Sequence, residues 1–223
     1  AAFATVILQA ASAILCFIRL LKTEDVYQVR IRDIRFHPGM LGQIIHIGLP
    51  SGMQNSIISF ANLIVQTNIN KFGVMAVAAC GVYSKIEGFA FLPITCFAMS
   101  LTTFIGQNLG ARQYDRAKRG AYFGIACSTI LAEVVGVIVF ALIPYFAAAF
   151  DGTPEVVAIA TKQAHVEALF YCFLAFSHCI AGIMRGAGKS TVPMFVMLIS
   201  WCIIRITYIT ITVHFIPKIQ VIF

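Results

Sequence analysis

Charge is scarce in this sequence: 11% of its 223 residues are Asp, Glu, Lys or Arg, against about a quarter in ordinary soluble domains. A water-soluble fold of this length needs a charged surface that so few groups cannot provide. Acidic residues are the scarcer sign, 9 against 16 basic ones. No two cysteines form a CxxC pair, so neither a disulfide framework nor a zinc site follows from their spacing. Cys16, Cys80, Cys96, Cys127, Cys172, Cys179 and Cys202 read instead as small buried hydrophobes. Also missing are HExxH, a Ser/His/Asp set and an aspartyl pair; no catalytic residue, metal site or cofactor is expected, and the chain is not read as an enzyme. RGAGKST at 185–191 fails the phosphate-loop spacing because Ile183 stands where its first Gly belongs, and it reads as a tight interhelical turn.

What the sequence has is apolar length. Runs at 1–18, 44–70, 79–105, 121–149, 160–184 and 192–215 approach or exceed the roughly 20 residues that carry a helix across a bilayer core. They are continuous rather than alternating, which predicts helices and excludes a barrel. The fold class is therefore all-α: a polytopic transmembrane bundle of about six spans. The chain opens inside an apolar run at Ala1 and closes on IQVIF after Pro217 and Lys218. These ends predict a piece of a longer membrane protein, without a cleaved signal.

A net charge of +7 would suggest nucleic acid in a soluble protein, but here the basic residues gather in short loops beside the spans, which points to a bilayer partner. Arg19, Lys22, Arg30, Arg32, Arg35, Arg112, Arg116, Lys118, Arg119, Arg185 and Lys189 fall on one side, against Lys71, Lys162 and Lys218 on the other. Positive charge marks the cytoplasmic face, so loops 22–43, 106–120 and 185–191 are expected there and no nucleic acid is expected. Within 22–43 the spacing of Val26, Val29, Ile31, Ile34 and Phe36 suits either a short interfacial helix or a plain connector.

The second span carries Ser51, Asn55, Ser59, Asn62, Gln66 and Asn70 at steps of four, four, three, four and four, which is one helix face. Such a stripe avoids lipid, because each unpaired amide there costs several kcal/mol. It predicts a water-filled cavity or, for some members, hydrogen bonds between helices. Gly48, Pro50 and Gly52 open the same span as a first-turn Pro or a hinge.

Ionisable groups inside spans are functional candidates by default: Lys85, Glu87, Glu133, Glu167, His178 and Arg205. Glu167, near an outer end, is expected to snorkel. Glu87 heads a line with Phe91, Thr95 and Thr102 and suits a cation, a proton or a structural ion pair. Glu167, Tyr171, Leu174 and His178 share a face, as do Trp201, Arg205, Tyr208 and Thr212. Their rings suit organic cations through cation–π attraction or serve as interface anchors. The candidate cavity lining is thus Asn55, Ser59, Asn62, Gln66, Tyr171, His178, Trp201 and Arg205, with Glu87 as the coupling-ion candidate.

The strings IGLPSGMQ, IEGFAFLP, TTFIGQNLGARQYDRAKRG and GIMRGAGKSTVPM, spread over nearly the whole chain, resemble the multidrug and toxic compound extrusion (MATE) family, particularly its bacterial members. The resemblance implies two pseudo-symmetric six-helix bundles forming a twelve-helix transporter of the plasma membrane. Residues 1–21 would end a helix of the preceding bundle, 22–43 form the cytoplasmic inter-bundle loop, and 44–223 form the C-terminal bundle, incomplete at its end. The missing N-terminal bundle is then a partner. It further implies export of cationic or amphipathic organic compounds in exchange for protons or sodium, by alternating access. The acidic positions of sodium-coupled relatives in the seventh and tenth helices align with Ile58 and Leu174. Competing readings are a lipid-linked oligosaccharide flippase of related architecture, which needs a strongly basic cavity, and a non-transporting helical membrane protein.

Overall fold

Lipid offers no water to satisfy a backbone amide, so a chain this apolar closes its hydrogen bonds within helices. The computed structural model describes residues 2–23, 28–31 and 35–215, and these are helical almost throughout. The chain divides into two compact units, 1–43 and 44–223.

In the first unit, α1 (Ala2–Lys22) exposes nearly every side chain and ends on Arg19 and Lys22. The chain then folds back to cap it: the Val29 N–H donates to the Leu20 carbonyl at 3.1 Å and Gln28 Nε2 to that of Leu21 at 3.4 Å. These bonds occupy carbonyls that a helix C-terminus leaves open. Residues 28–31 and 35–37 contain no α-helix, so the interfacial helix does not occur there. Val26, Ile34 and Arg32 lie outside the described residues, as do Pro217 and Lys218.

The second unit contains most of α2 (Pro38–Ile69), then α3 (Val74–Gly110), α4 (Tyr114–Phe150), α5 (Pro154–Glu167), α6 (Tyr171–Gly186), α7 (Thr191–Met197) and α8 (Arg205–Phe215). Two irregular segments interrupt this order, a 3-10 turn at Ala168–Phe170 and a π-helical stretch at Leu198–Ile204. The helices overrun their apolar stretches. At 37 residues each, α3 and α4 reach about 55 Å at 1.5 Å per residue, well beyond a hydrocarbon core of about 30 Å. The expected loop 106–120 therefore shrinks to residues 111–113, because both polar ends stay helical.

Among the described residues, 5 helical stretches are long and apolar enough to cross a membrane: Phe3–Lys22, Val74–Gly110, Tyr114–Phe150, Pro154–Gly186 and Thr191–Thr212. The six expected spans lose one by that measure. At 32 residues α2 has the length, but Gln54, Asn55, Asn62, Gln66 and their neighbours interrupt its apolar surface.

Prolines inside helices set two contacts between helices. A Pro has no N–H and leaves the carbonyl four residues earlier unpaired. Pro144 leaves that of Phe140, and His165 Nε2 fills the gap at 3.1 Å with its ring stacked 4.1 Å from the Phe140 ring. Pro50 leaves that of His46, and Ser190, buried behind the α6–α7 turn, donates to it at 3.4 Å. That turn reverses through Gly188 at φ 78°, a conformation that favours glycine. Outside the spans, the Thr153 N–H donates to Asp151 Oδ1 at 2.9 Å ahead of α5 and holds the Asp151 carboxyl below its usual range.

The core lies among α3, α4, α5 and α6, where Ala79, Ala132, Ala160, Ala164, Ala168 and Ala175 let backbones approach. Contact is closest where Gly182 and Gly186, one GxxxG pair, meet α3. A Cβ at Gly182 would stand 2.5 Å from the Ala98 carbonyl oxygen, and one at Gly186 2.5 Å from that of Thr102. Small residues at this spacing are how membrane helices gain packing without a hydrophobic driving force. Thr102 Oγ1 adds a bond of 2.9 Å to the Gly182 carbonyl. Large side chains such as Phe89, Phe123 and Phe173 point outward, as a lipid-facing surface requires.

Candidate functional site

A cavity of about 910 Å³ lies within the second unit, between α2 on one side and α3, α5–α6 and α8 on the other. From α2 it takes the polar stripe: Ser51, Gln54, Asn55, Asn62 and Gln66, together with Ile58 and Val65. The α3 side contributes Ser84, Glu87, Phe91, Thr95 and Met99, and α5–α6 contributes Gln163, Glu167, His178 and Arg185. Trp201 on the π-helical stretch and Arg205 at the start of α8 close the wall.

Hydrogen bonds order these groups. Glu167 is the last residue of α5, immediately before the 3-10 turn, and Tyr171 is the first residue of α6 beyond it. The Glu167 carboxylate accepts from Gln163 Nε2 at 3.1 Å and from the Tyr83 hydroxyl at 3.2 Å. The Tyr83 hydroxyl also lies 3.0 Å from that of Tyr171, so a polar chain runs from the cavity wall into the core. Across the cavity, Arg205 donates to Asn62 Oδ1 at 3.3 Å while its guanidinium covers the Trp201 ring at 4.6 Å. His178 meets Phe91 edge-on at 5.0 Å.

Of the residues singled out in the sequence, Asn55, Asn62, Gln66, Glu87, His178, Trp201 and Arg205 line this one cavity. Ser59 and Tyr171 do not. The Ser59 hydroxyl turns back to the Asn55 carbonyl at 3.0 Å, a common choice for Ser inside helices. Tyr171 is buried against Tyr83 behind the wall. Asn70 likewise lies outside the lining and accepts from Gln66 Nε2 at 3.1 Å. Lys85 points away from Glu87, its ammonium 5.5 Å from the Phe150 ring centroid. Glu167 does not snorkel to an interface as expected, because Gln163 and Tyr83 hold it inside. Periodicity missed Gln54, Gln163 and Arg185; only Gln54, beside Asn55, carried a signal in its position on the striped helix.

The wall groups are amides, carboxylates, guanidinium groups, an imidazole and aromatic rings, held in place by α2 and by helices long and apolar enough to cross a membrane. They can desolvate and orient a small molecule and exchange a proton or cation. A bundle of membrane-length helices around such an internal polar cavity is the architecture of a membrane transport protein. The chain belongs to the MatE family, whose model matches residues 50–211, and it is a multi-pass protein of the plasma membrane.

Relatives fit that placement. The probable multidrug resistance protein YoeA of Bacillus subtilis is 24% identical over 196 residues, 86% of this chain and 42% of its own length. The probable multidrug resistance protein NorM of Thermotoga maritima is 24% identical over 158 residues, 71% of this chain and 34% of its own. A crystal structure of MATE in complex with MaL6 superposes with a TM-score of 0.90 at 17% identity, over 99% of this chain and 50% of that one. An outward-facing multidrug resistance MATE family transporter of the MOP superfamily gives a TM-score of 0.75 at 19% identity, covering 81% and 40%. These two likenesses concern the fold. The chain spans less than half the length of the two curated relatives.

Proposed function

We propose that this chain is the C-terminal part of a secondary active multidrug exporter that moves cationic or amphipathic organic compounds outward in exchange for protons or sodium. Residues 44–223 form one of its two bundles, 22–43 the cytoplasmic link, and 1–21 the end of the preceding bundle. Loops 22–43, 106–120 and 185–191 face the cytoplasm. One observation carries the reading: Glu87 and Glu167 share a membrane-embedded cavity with the Asn55, Asn62 and Gln66 face and the Trp201 ring. Carboxylates there attract a cation or take up a proton, and since Arg205 already covers the Trp201 ring, it is these carboxylates that favour an organic cation. Competition between cargo and coupling ion for one charged site yields exchange when the pathway reorients readily only with one of the two bound, so that each leaves as the other takes its place.

The flippase reading gains one residue and loses another: Arg185 lines the cavity while Lys85 does not. Two arginines facing two glutamates do not make the net positive surface that a diphosphate headgroup needs, so export of smaller compounds is preferred.

The test is efflux of a fluorescent organic cation from proteoliposomes of the full-length protein under imposed proton or sodium gradients. Gradient-driven efflux that Asn62→Leu weakens and Glu87→Gln abolishes, with expression intact, supports the proposal. Unchanged efflux in Glu87→Gln removes its coupling role, and no efflux under either gradient overturns the exporter reading.

A further inference from the structure

A second hollow, of about 490 Å³, lies on the outer surface of the second unit where α3 turns into α4, apart from the cavity described above. Phe104 of α3 lines it together with Asp115, Arg116, Arg119, Gly120 and Phe123 of α4. A Cβ at Gly120 would displace the Phe104 ring, so glycine is what lets that ring lie against α4. Arg116 and Arg119 stand three residues apart, and Arg119 and Phe123 four, so one face of α4 carries both guanidinium groups and the phenyl ring.

The charges of the hollow are unanswered. The Arg116 guanidinium lies 6.0 Å from the Phe104 ring centroid and donates to Gln113 Oε1 at 3.4 Å, both neutral partners. Arg119 and Asp115, one turn apart, make no hydrogen bond or ion pair with any described residue. Two positive groups against one negative leave a single positive charge in excess. The level of the hollow in the membrane is marked as well. Exposed Tyr114 and Tyr122 bracket it on α4, and tyrosines gather at the membrane–water interface. Beyond Phe123 the same face continues through Ile130, Val134 and Val137, all exposed, an apolar strip of the kind that acyl chains cover. Two guanidinium groups at the head of such a strip match an amphiphile: anion at one end, hydrocarbon at the other.

We propose that this hollow binds one anionic phospholipid, its phosphodiester held by Arg116 and Arg119 and its acyl chains laid along Phe123 and the strip beyond. Guanidinium N–H forks fit phosphate oxygens, and one phosphodiester charge balances the excess of one. A zwitterionic lipid brings no net charge and leaves that excess in place. Free phosphate would answer the guanidinium groups but leave the strip uncovered. The site is separate from the cargo pathway and stands whatever that pathway carries.

Native mass spectrometry of the full-length protein tests it, with the protein released from micelles that hold equal amounts of phosphatidylglycerol and phosphatidylethanolamine of the same chains. Phosphatidylglycerol should be retained in preference. Arg116→Gln and Arg119→Gln should each weaken its retention about fivefold, and Asp115→Asn should strengthen it. Lys118→Gln removes the same charge from another face of α4 and should leave retention nearly unchanged. Equal retention of the two lipids, or a loss from Lys118→Gln as large as that from Arg119→Gln, overturns the proposal, because these residues would then select nothing. Displacement of the lipid by an equal concentration of glycerophosphoglycerol, the same headgroup without chains, also overturns it, because the site would then take a soluble phosphodiester.

Discussion

His165→Phe should cost stability only while Pro144 is present. The substitution retains a ring to stack on Phe140 but removes the donor that fills the carbonyl left open by Pro144. A buried carbonyl without a partner costs about 1–3 kcal/mol, whereas side-chain bonds between membrane helices average about 0.6 and reach about 1.7. His165 is exposed and Phe140 is 36% exposed, so a value of about 1 kcal/mol is expected. Pro144→Ala returns an N–H that closes onto the Phe140 carbonyl within the helix, and in that background His165→Phe should cost close to nothing. The coupling between the two changes is therefore about 1 kcal/mol. Reversible unfolding in mixed detergent and SDS micelles, run on the four proteins of the cycle, reads it directly. An equal cost of His165→Phe in both backgrounds would refute the carbonyl argument and leave only ring stacking.

Gly182→Leu should separate α3 from α6, because a Cβ there already meets the Ala98 carbonyl oxygen at 2.5 Å; a loss of about 3 kcal/mol or failure to assemble is expected in the same assay. Tyr83→Phe strips Glu167 and Tyr171 of a shared hydroxyl, and should cost about 1 kcal/mol and slow export, measured in proteoliposomes. Cysteine at Asn62 should react with a small water-soluble thiol reagent and be protected by cargo, while cysteine at fully buried Ala61 should not react, as mass spectrometry of the labelled protein would show. Asp151 has its folded pKa lowered by the Thr153 N–H. Its contribution is therefore present above the unfolded Asp value and fades as pH falls through the folded one. The unaltered protein should exceed Asp151→Asn in thermal stability at neutral pH, and the two should converge in acid.

The sequence made the class of the molecule plain because hydrocarbon imposes so few solutions: length and apolarity name a helical membrane bundle before any packing is known. The striped face of the second span pointed to a cavity by the same logic, since amides in register need water or partners. Single residues were harder. Ser51 and Ser59 share that stripe, yet both hydroxyls bond to their own helix and only Ser51 borders the cavity. Periodicity fixes a face but not where a short side chain bends. Glu167 was misplaced because the 3-10 turn after it interrupts α5–α6 beside Tyr171, a break for which 167–171 carries no Pro or Gly as warning. Arg185 counts among the retention charges, and its place on the cavity lining follows only from the antiparallel run of α2 opposite it.

The GxxxG seat of α6 on α3 makes the two long walls of this cavity unequal mechanically. On one side, backbone meets backbone, and nothing can slide without breaking contacts along a whole helix face. On the other, beyond buried packing at Gln54, Ala61, Val65, Asn68 and Ile69, α2 is fastened by single bonds: Ser190 to His46, Cys202 to Ile57 and Arg205 to Asn62. At about 0.6 kcal/mol each, those fastenings together amount to far less than the roughly 8 kcal/mol released by a micromolar ligand. The compliance of the cavity is therefore one-sided: an arriving molecule can spend a fraction of its binding energy to reset the width on the α2 side, while the α3–α6 side serves as the fixed rail against which its fit is gauged.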